Sequence, residues 1–202
     1  MSANRLAELV PAEPEVHGLV ALMEIQASRL RARVGTAGEP VLLLDQDRGR
    51  WDHLLVRRGL AALQRAEDLG RQLGPYTLQA ALAACHGRAL TASETDWERI
   101  AALYDALAQV APSPVVELNR AVAVSMAFGP QAGLDLVGAL LTEPSLASYH
   151  LLPAVHADLL VKSGRPREAA AEFERAAGMT RNAREQALLT GRAAECRLSA
   201  QG

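Results

Sequence analysis

The sequence predicts an all-α protein in which antiparallel helix pairs stack on one another, and three observations carry that prediction. The apolar half of the 202-residue chain is mostly Ala and Leu. With Arg and Glu these are strong helix formers, while the β-branched and aromatic residues that favour strands are scarce, the aromatics at only 3%. Apolar positions recur at helical spacing rather than in alternation. From Pro75 onward Gly and Pro interrupt the periodic segments, as the breaks between short helices require.

Taken in order, the first helix begins near Glu15, with Val16, Leu19, Val20, Met23, Ala27 and Leu30 on one stripe and Glu24, Arg29, Arg31 and Arg33 opposite. It ends at Gly35. A turn over residues 35–40 (GTAGEP) leads into residues 41–44 (VLLL), a short apolar run bounded by breakers that predicts one extended, buried segment without a partner strand. A second long helix is predicted over residues 51–73, with Leu54, Leu55, Arg58, Leu63, Ala66 and Leu69 setting its period and Gly70 and Gly74 ending it. Further helices follow over residues 76–89, 96–110, 114–128, 130–141, 149–163, 166–178 and 181–198. Thr95-Asp96 and Ser113-Pro114 read as N-caps, the second with an early proline; Gly129-Pro130 and Gly164-Arg165-Pro166 are breaks, and Pro144-Ser145 opens a loop. The organisation expected is an N-terminal helical subdomain, residues 1–74, followed by helical repeats over residues 75–202 that pack on it as one unit.

The repeats are visible in the last pair. Ala157, Gly164, Ala169, Phe173 and Ala176 fall on the small, turn-glycine, small, aromatic and small positions of the tetratricopeptide pattern. Ala121, Gly133 and Val137 stand 36 positions before Ala157, Ala169 and Phe173. Small residues let paired helices approach, and a large one fills the gap between neighbouring pairs. Ile100, Tyr104 and Leu107, closed by Pro112, match the second helix of such a repeat. The predicted architecture is therefore a tetratricopeptide-like α-solenoid.

Composition narrows the function. A net charge of −2 without a basic cluster argues against direct nucleic-acid binding by this segment. No apolar run approaches a membrane span and no secretory leader is recognisable, so a cytoplasmic protein without membrane contact is expected. Cys85 and Cys196 are read as buried thiols of a reducing compartment. The phosphate-loop, dinucleotide, nucleophile-elbow and zinc-protease patterns are missing from the sequence. The five histidines stand apart, and Cys85-His86 points in two directions on a helix. No enzyme, metal site or cofactor is predicted.

Two constellations are candidates for interaction. The turn Asp45-Gln46-Asp47-Arg48-Gly49-Arg50-Trp51-Asp52 opens like a calcium loop, but its glycine comes one place early and Val56 stands where the twelfth-position glutamate should be. Two readings remain. Asp47 or Asp52 caps a helix in a solvated turn, or Arg48, Arg50 and Trp51 form a recognition patch combining forked donors with an anchoring ring. The second constellation follows from threading the repeat, whose first helices line a groove: Asn119, Val122, Ser125, Asp158 and Lys162, with Arg120 beside it.

Six ordered stretches resemble the C-terminal region of one group of bacterial extracytoplasmic-function sigma factors. They are residues 13–23 (EPEVHGLVALM), 43–52 (LLDQDRGRWD), 74–81 (GPYTLQAA), 95–105 (TDWERIAALYD), 113–123 (SPVVELNRAVA) and 149–152 (YHLL). In that group a tetratricopeptide-type extension follows the two sigma regions, which would precede Arg5. The resemblance implies a regulatory, protein-interaction domain that controls transcription initiation through its own sigma regions or RNA polymerase, with a small partner protein also in view. It also weights the 45–52 turn and the Asn119-Arg120 pair towards contact surfaces, although Gly49 stands where the family more often has serine. The alternative expectation is a sensor that binds a small molecule or peptide, in the groove or in a seam near Trp51, His53 and Tyr76.

Overall fold

In the computed structural model, residues 3–36, 38–70 and 72–200 are described. They form ten α-helices joined by short 3-10 turns, and the β-pairing among them is the isolated bridge between Val34 and Pro40. The all-α prediction holds. The chain divides into two compact units, Met1–Ala111 and Pro112–Gly202.

The first unit holds α1 (Ala3–Leu9), α2 (Pro14–Ser28), α3 (His53–Leu69), α4 (Pro75–Arg88) and α5 (Trp97–Val110). α2 packs against α1, α3 and α4, and α5 packs on α4. Sequence composition explains which helices lie inside. α4 is buried continuously from Ala80 to Cys85, as a helix apolar on all sides must be, whereas α3 is amphipathic and buries only Val56, Gly59, Leu63 and Ala66. Two glycines set the spacing. A Cβ on Gly18 would stand 2.7 Å from the backbone nitrogen of Thr77 in α4, and one on Gly59 would stand 2.6 Å from Cγ1 of Ile25 in α2.

The second unit holds α6 (Pro114–Phe128), α7 (Pro130–Leu140), α8 (Leu151–Lys162), α9 (Pro166–Met179) and α10 (Ala183–Ser199). Each helix packs on the next. The short breaks at Gly129 and at residues 163–165 make the chain double back, and Gly129 and Gly164 adopt positive φ there (98° and 72°). Its core gathers Ala121, Val137, Ala157, Leu160, Ala169, Phe173 and Ala176, with Phe173 fully enclosed.

Helix ends differ from expectation by a few residues, because side-chain caps decide them. The predicted 51–73 helix starts at His53, where the Asp52 carboxylate accepts from the amides of Leu54 and Leu55. Two expectations are corrected. Residues 41–44 are not an extended buried segment: they lead into a 3-10 turn at Leu43–Asp45 that turns Leu43 onto Ala32, Trp51 and Val56 and leaves Leu42 and Leu44 exposed. In α2 the inward stripe is His17, Gly18, Val20, Ala21, Ile25 and Ser28 rather than one including Met23 and Leu30, since close approach to α3 and α4 selects small residues.

Candidate interaction site at the charged turn

The eight residues of the turn divide into anchors and surface. Arg48 is only 7% exposed and Trp51 only 4%. The Arg48 guanidinium donates from Nη1 to the carbonyl oxygens of His86 and Ala89 (3.1 Å for the latter) and from Nη2 to Oγ1 of Thr95 (3.2 Å). It thereby closes the C-terminus of α4, whose last carbonyls have no partner within the helix. Gln46 is buried as well, its amide nitrogen donating to the Val41 carbonyl and its oxygen accepting from Nε of Arg29. Asp47 accepts from the Gly49 amide at 2.8 Å, and Asp52 caps α3. Asp45, Asp47, Arg50 and Asp52 form the exposed part. Asp47 and Asp52 cap as the first reading expects, but the recognition patch of Arg48, Arg50 and Trp51 is corrected: Arg48 and Trp51 are buried as an inward anchor and Arg50 is the exposed member.

The other end of α4 is closed by a residue distant in sequence. The Glu15 carboxylate, on α2, accepts from the amides of Tyr76 and Thr77 (2.8 and 3.0 Å) and from the Thr77 hydroxyl (2.6 Å). An anion at the N-terminus and a cation at the C-terminus both complement the helix dipole. Neither role is visible in the local sequence of α4, since Gly74 offers no capping side chain. The one available signal was the pattern Gly74-Pro75, which marks a helix start without naming its partner.

Around Trp51 the hydrogen bonds of Arg29, Arg33 and Arg48 among the described residues run to neutral oxygens, while the Glu94 carboxylate acts on Arg48 through space. The guanidiniums of Arg29 and Arg48 lie 5.3 and 5.0 Å from the ring centroid. Arg29 and Arg33 donate to the Gln26 side-chain oxygen, a neutral acceptor. Burial, then repulsion by Arg33 and Arg48, lowers the Arg29 pKa to about 10. His86, whose ring meets Trp97 edge-on at 5.4 Å, is held down to about 4 by burial, then by Arg48 and Arg29. The Nε of Arg48, the indole nitrogen of Trp51 and Nδ1 of His86 are buried without acceptors.

The groove candidates lie apart in their bonding. Ser125 is buried and donates to the Val122 carbonyl within α6, so its hydroxyl is spent inside the helix. Arg120 pairs with Glu117 one turn back. Asp158 bonds Arg192 of α10, and Lys162 reaches Sδ of Met126 at 3.0 Å, linking α8 to α6. Asn119 is exposed. The seam expected near Trp51, His53 and Tyr76 is corrected: Trp51 packs beside Arg48 at the C-terminal end of α4, and Tyr76 stands at its N-terminus, about 20 Å away along the helix. Cys85 and Cys196 are both free and buried, and burial raises both thiols.

Residues 2–67, which include α2, the turn and nearly all of α3, match the model of a family described as "Family of unknown function (DUF6596)". A protein of Rhizobium meliloti (strain 1021), described as uncharacterized, is 46% identical over 184 residues, 91% of this chain. The chain spans 43% of that relative's length. No solved structure matches.

Proposed function

We propose that this chain is a regulatory, protein-interaction domain of an extracytoplasmic-function sigma factor, acting on its own sigma regions or on RNA polymerase in a bacterial cytoplasm. The observation that carries this reading is the construction of the 45–52 turn. Arg48 and Trp51, buried, lock a loop that presents Asp45, Asp47, Arg50 and Asp52 outward on a rigid frame. A loop ordered in advance loses little entropy when a partner docks, which is how a small polar surface achieves useful affinity. The resemblance of the six stretches to sigma-factor extensions supports this choice of partner.

The second unit is read as tetratricopeptide-like. Its support is the burial of Ala157, Ala169, Phe173 and Ala176, the positive φ at Gly164, and the burial of Ala121, Gly133 and Val137 at the positions one repeat earlier. A Cβ on Gly133 would meet the Ala121 carbonyl at 2.9 Å, the close helix approach that a paired repeat demands.

The test uses the full-length protein. The Asp45 carboxylate makes no hydrogen bond among the described residues and Arg50 is exposed, so Asp45→Lys with Arg50→Glu changes the surface while leaving the Arg48 anchor in place. The double variant is expected to weaken binding of the isolated domain to the sigma regions at least tenfold and to change promoter output. Unchanged output, together with no binding of the unaltered domain to sigma regions or polymerase, refutes the reading.

A further inference from the structure

Beside the turn lies an open depression of about 650 Å³, lined by Leu30, Arg31, Val34, Arg50, Trp51 and Asp52. Its floor combines two chemistries. Leu30 is 61% exposed and Val34 46%, an adjacent apolar pair on the surface. The Arg31 guanidinium makes no hydrogen bond or ion pair among the described residues, and Arg50 uses only Nη2, on the carbonyl oxygens of Arg31 and Val34, leaving the rest of its fork open.

Three carboxylates border the rim: Asp52 in the lining, Asp47 against Gly49 and Glu39 against Gly35. Asp52, the acidic residue of the lining, directs Oδ1 at two amides of the α3 N-terminus, whose partial positive charge offsets its own. Behind the rim, Arg29, Arg33 and Arg48 hydrogen-bond to neutral oxygens among the described residues, with Glu94 acting on Arg48 through space. Their mutual repulsion is a cause of the lowered Arg29 pKa. The open donors, Arg31 and the free part of the Arg50 fork, have the geometry that carboxylates fit.

We propose that this depression is a docking site for a short acidic peptide segment of a protein partner, one or two carboxylates pairing with Arg31 and Arg50 and an apolar side chain resting on Leu30 and Val34. The site deepens the regulatory reading above by assigning the chemistry of the partner, and rests on that reading only for the partner's biological role. Burying an ion pair beside apolar contact gives specificity through charge and affinity through the anchor.

A random peptide display library selected on the domain, with the Arg31→Glu/Leu30→Ser double variant as counter-selection, tests this without prior choice of ligand. Both residues are exposed and outside the core, so circular dichroism and melting of the variant should match the parent. The expected sequences carry at least two Asp or Glu and one Leu, Ile, Phe or Met. Synthesised with a fluorophore, they should lose affinity at least tenfold on Arg31→Glu and recover it when the peptide's acids are replaced by Lys. Selected peptides that are basic or uncharged, the absence of any peptide sensitive to the double variant, or a DNA duplex whose binding Arg31→Glu weakens in place of peptide binding would overturn the proposal. Failure of the promoter experiment with intact acidic-peptide binding would overturn the sigma-factor reading alone.

Discussion

At the scale of single residues, Arg48 shows how a charged side chain belongs to the interior when its donors close a helix. Two α4 carbonyls and the Thr95 hydroxyl depend on it. Arg48→Ala would leave these acceptors buried, and each orphaned group costs about 1–3 kcal/mol, so a loss of about 3 kcal/mol in urea unfolding is expected. Arg48→Lys should recover only part of it, because an ammonium lacks the fork. His86 gives the domain a pH dependence. With an unfolded pKa near 6.5 and a folded value of about 4, its neutral form contributes stability that is present above pH 6.5 and is lost as pH falls from there through about 4. The difference corresponds to about 3 kcal/mol at full loss. His86→Phe, which keeps a ring against Trp97, should flatten that part of the stability profile relative to the parent between pH 7 and 4. The acid side of the turn was legible in the sequence, since Asp47 and Asp52 act locally over two or three residues. The burial of Arg48 was not, because its partners lie 38 to 47 residues further along, and that of Trp51 depends on packing against Ala32 and Arg29 from the preceding helical segment.

At the scale of elements, contact between helices is controlled by where a side chain is missing. Gly18 faces the backbone of Thr77, which cannot move without shifting the start of α4 and its Glu15 cap. Gly59 faces Cγ1 of the buried Ile25, with the Ala21 carbonyl at 3.1 Å. Both alanine variants overpack, at a typical cost of about 1–3 kcal/mol. Gly18→Ala is expected to cost more than Gly59→Ala, since its contacts include backbone atoms of Thr77 under 3 Å, whereas Gly59 meets backbone only at 3.1 Å; thermal melts of the two variants check the order. Helix existence was readable throughout from the 3.6-residue period and its Gly and Pro punctuation. The inward face of α2 was misjudged at Met23 and Leu30, because periodicity finds large apolar side chains while the true seam is made of His17, Gly18, Ala21 and Ser28.

At the scale of the whole molecule, the chain folds as two compact units, each with its own core. The core of the second is drawn wholly from residues between Leu118 and Cys196. A fragment covering residues 112–202 is therefore expected to give a helical spectrum and a cooperative melt. Phe173→Ala should lower that melt by the equivalent of about 3–5 kcal/mol, since the ring is fully enclosed and Arg192 stacks on it at 4.3 Å. Calorimetry of the fragment with and without the substitution tests both statements. By itself the sequence determined the helical class, nearly every helix, the caps at Asp52, Asp96 and Ser113, the buried small residues of the last helix pairs, and the charged turn as a place of interest. These follow from interactions within about four residues, which periodicity and capping chemistry register directly. Only the tertiary structure decided that Glu15 and Arg48 close the two ends of α4, that Trp51 is an anchor rather than an exposed contact, and that Leu30, Arg31, Val34 and Arg50 share one depression. Those arrangements depend on which distant elements pack together, a choice made by the summed burial of whole helix faces.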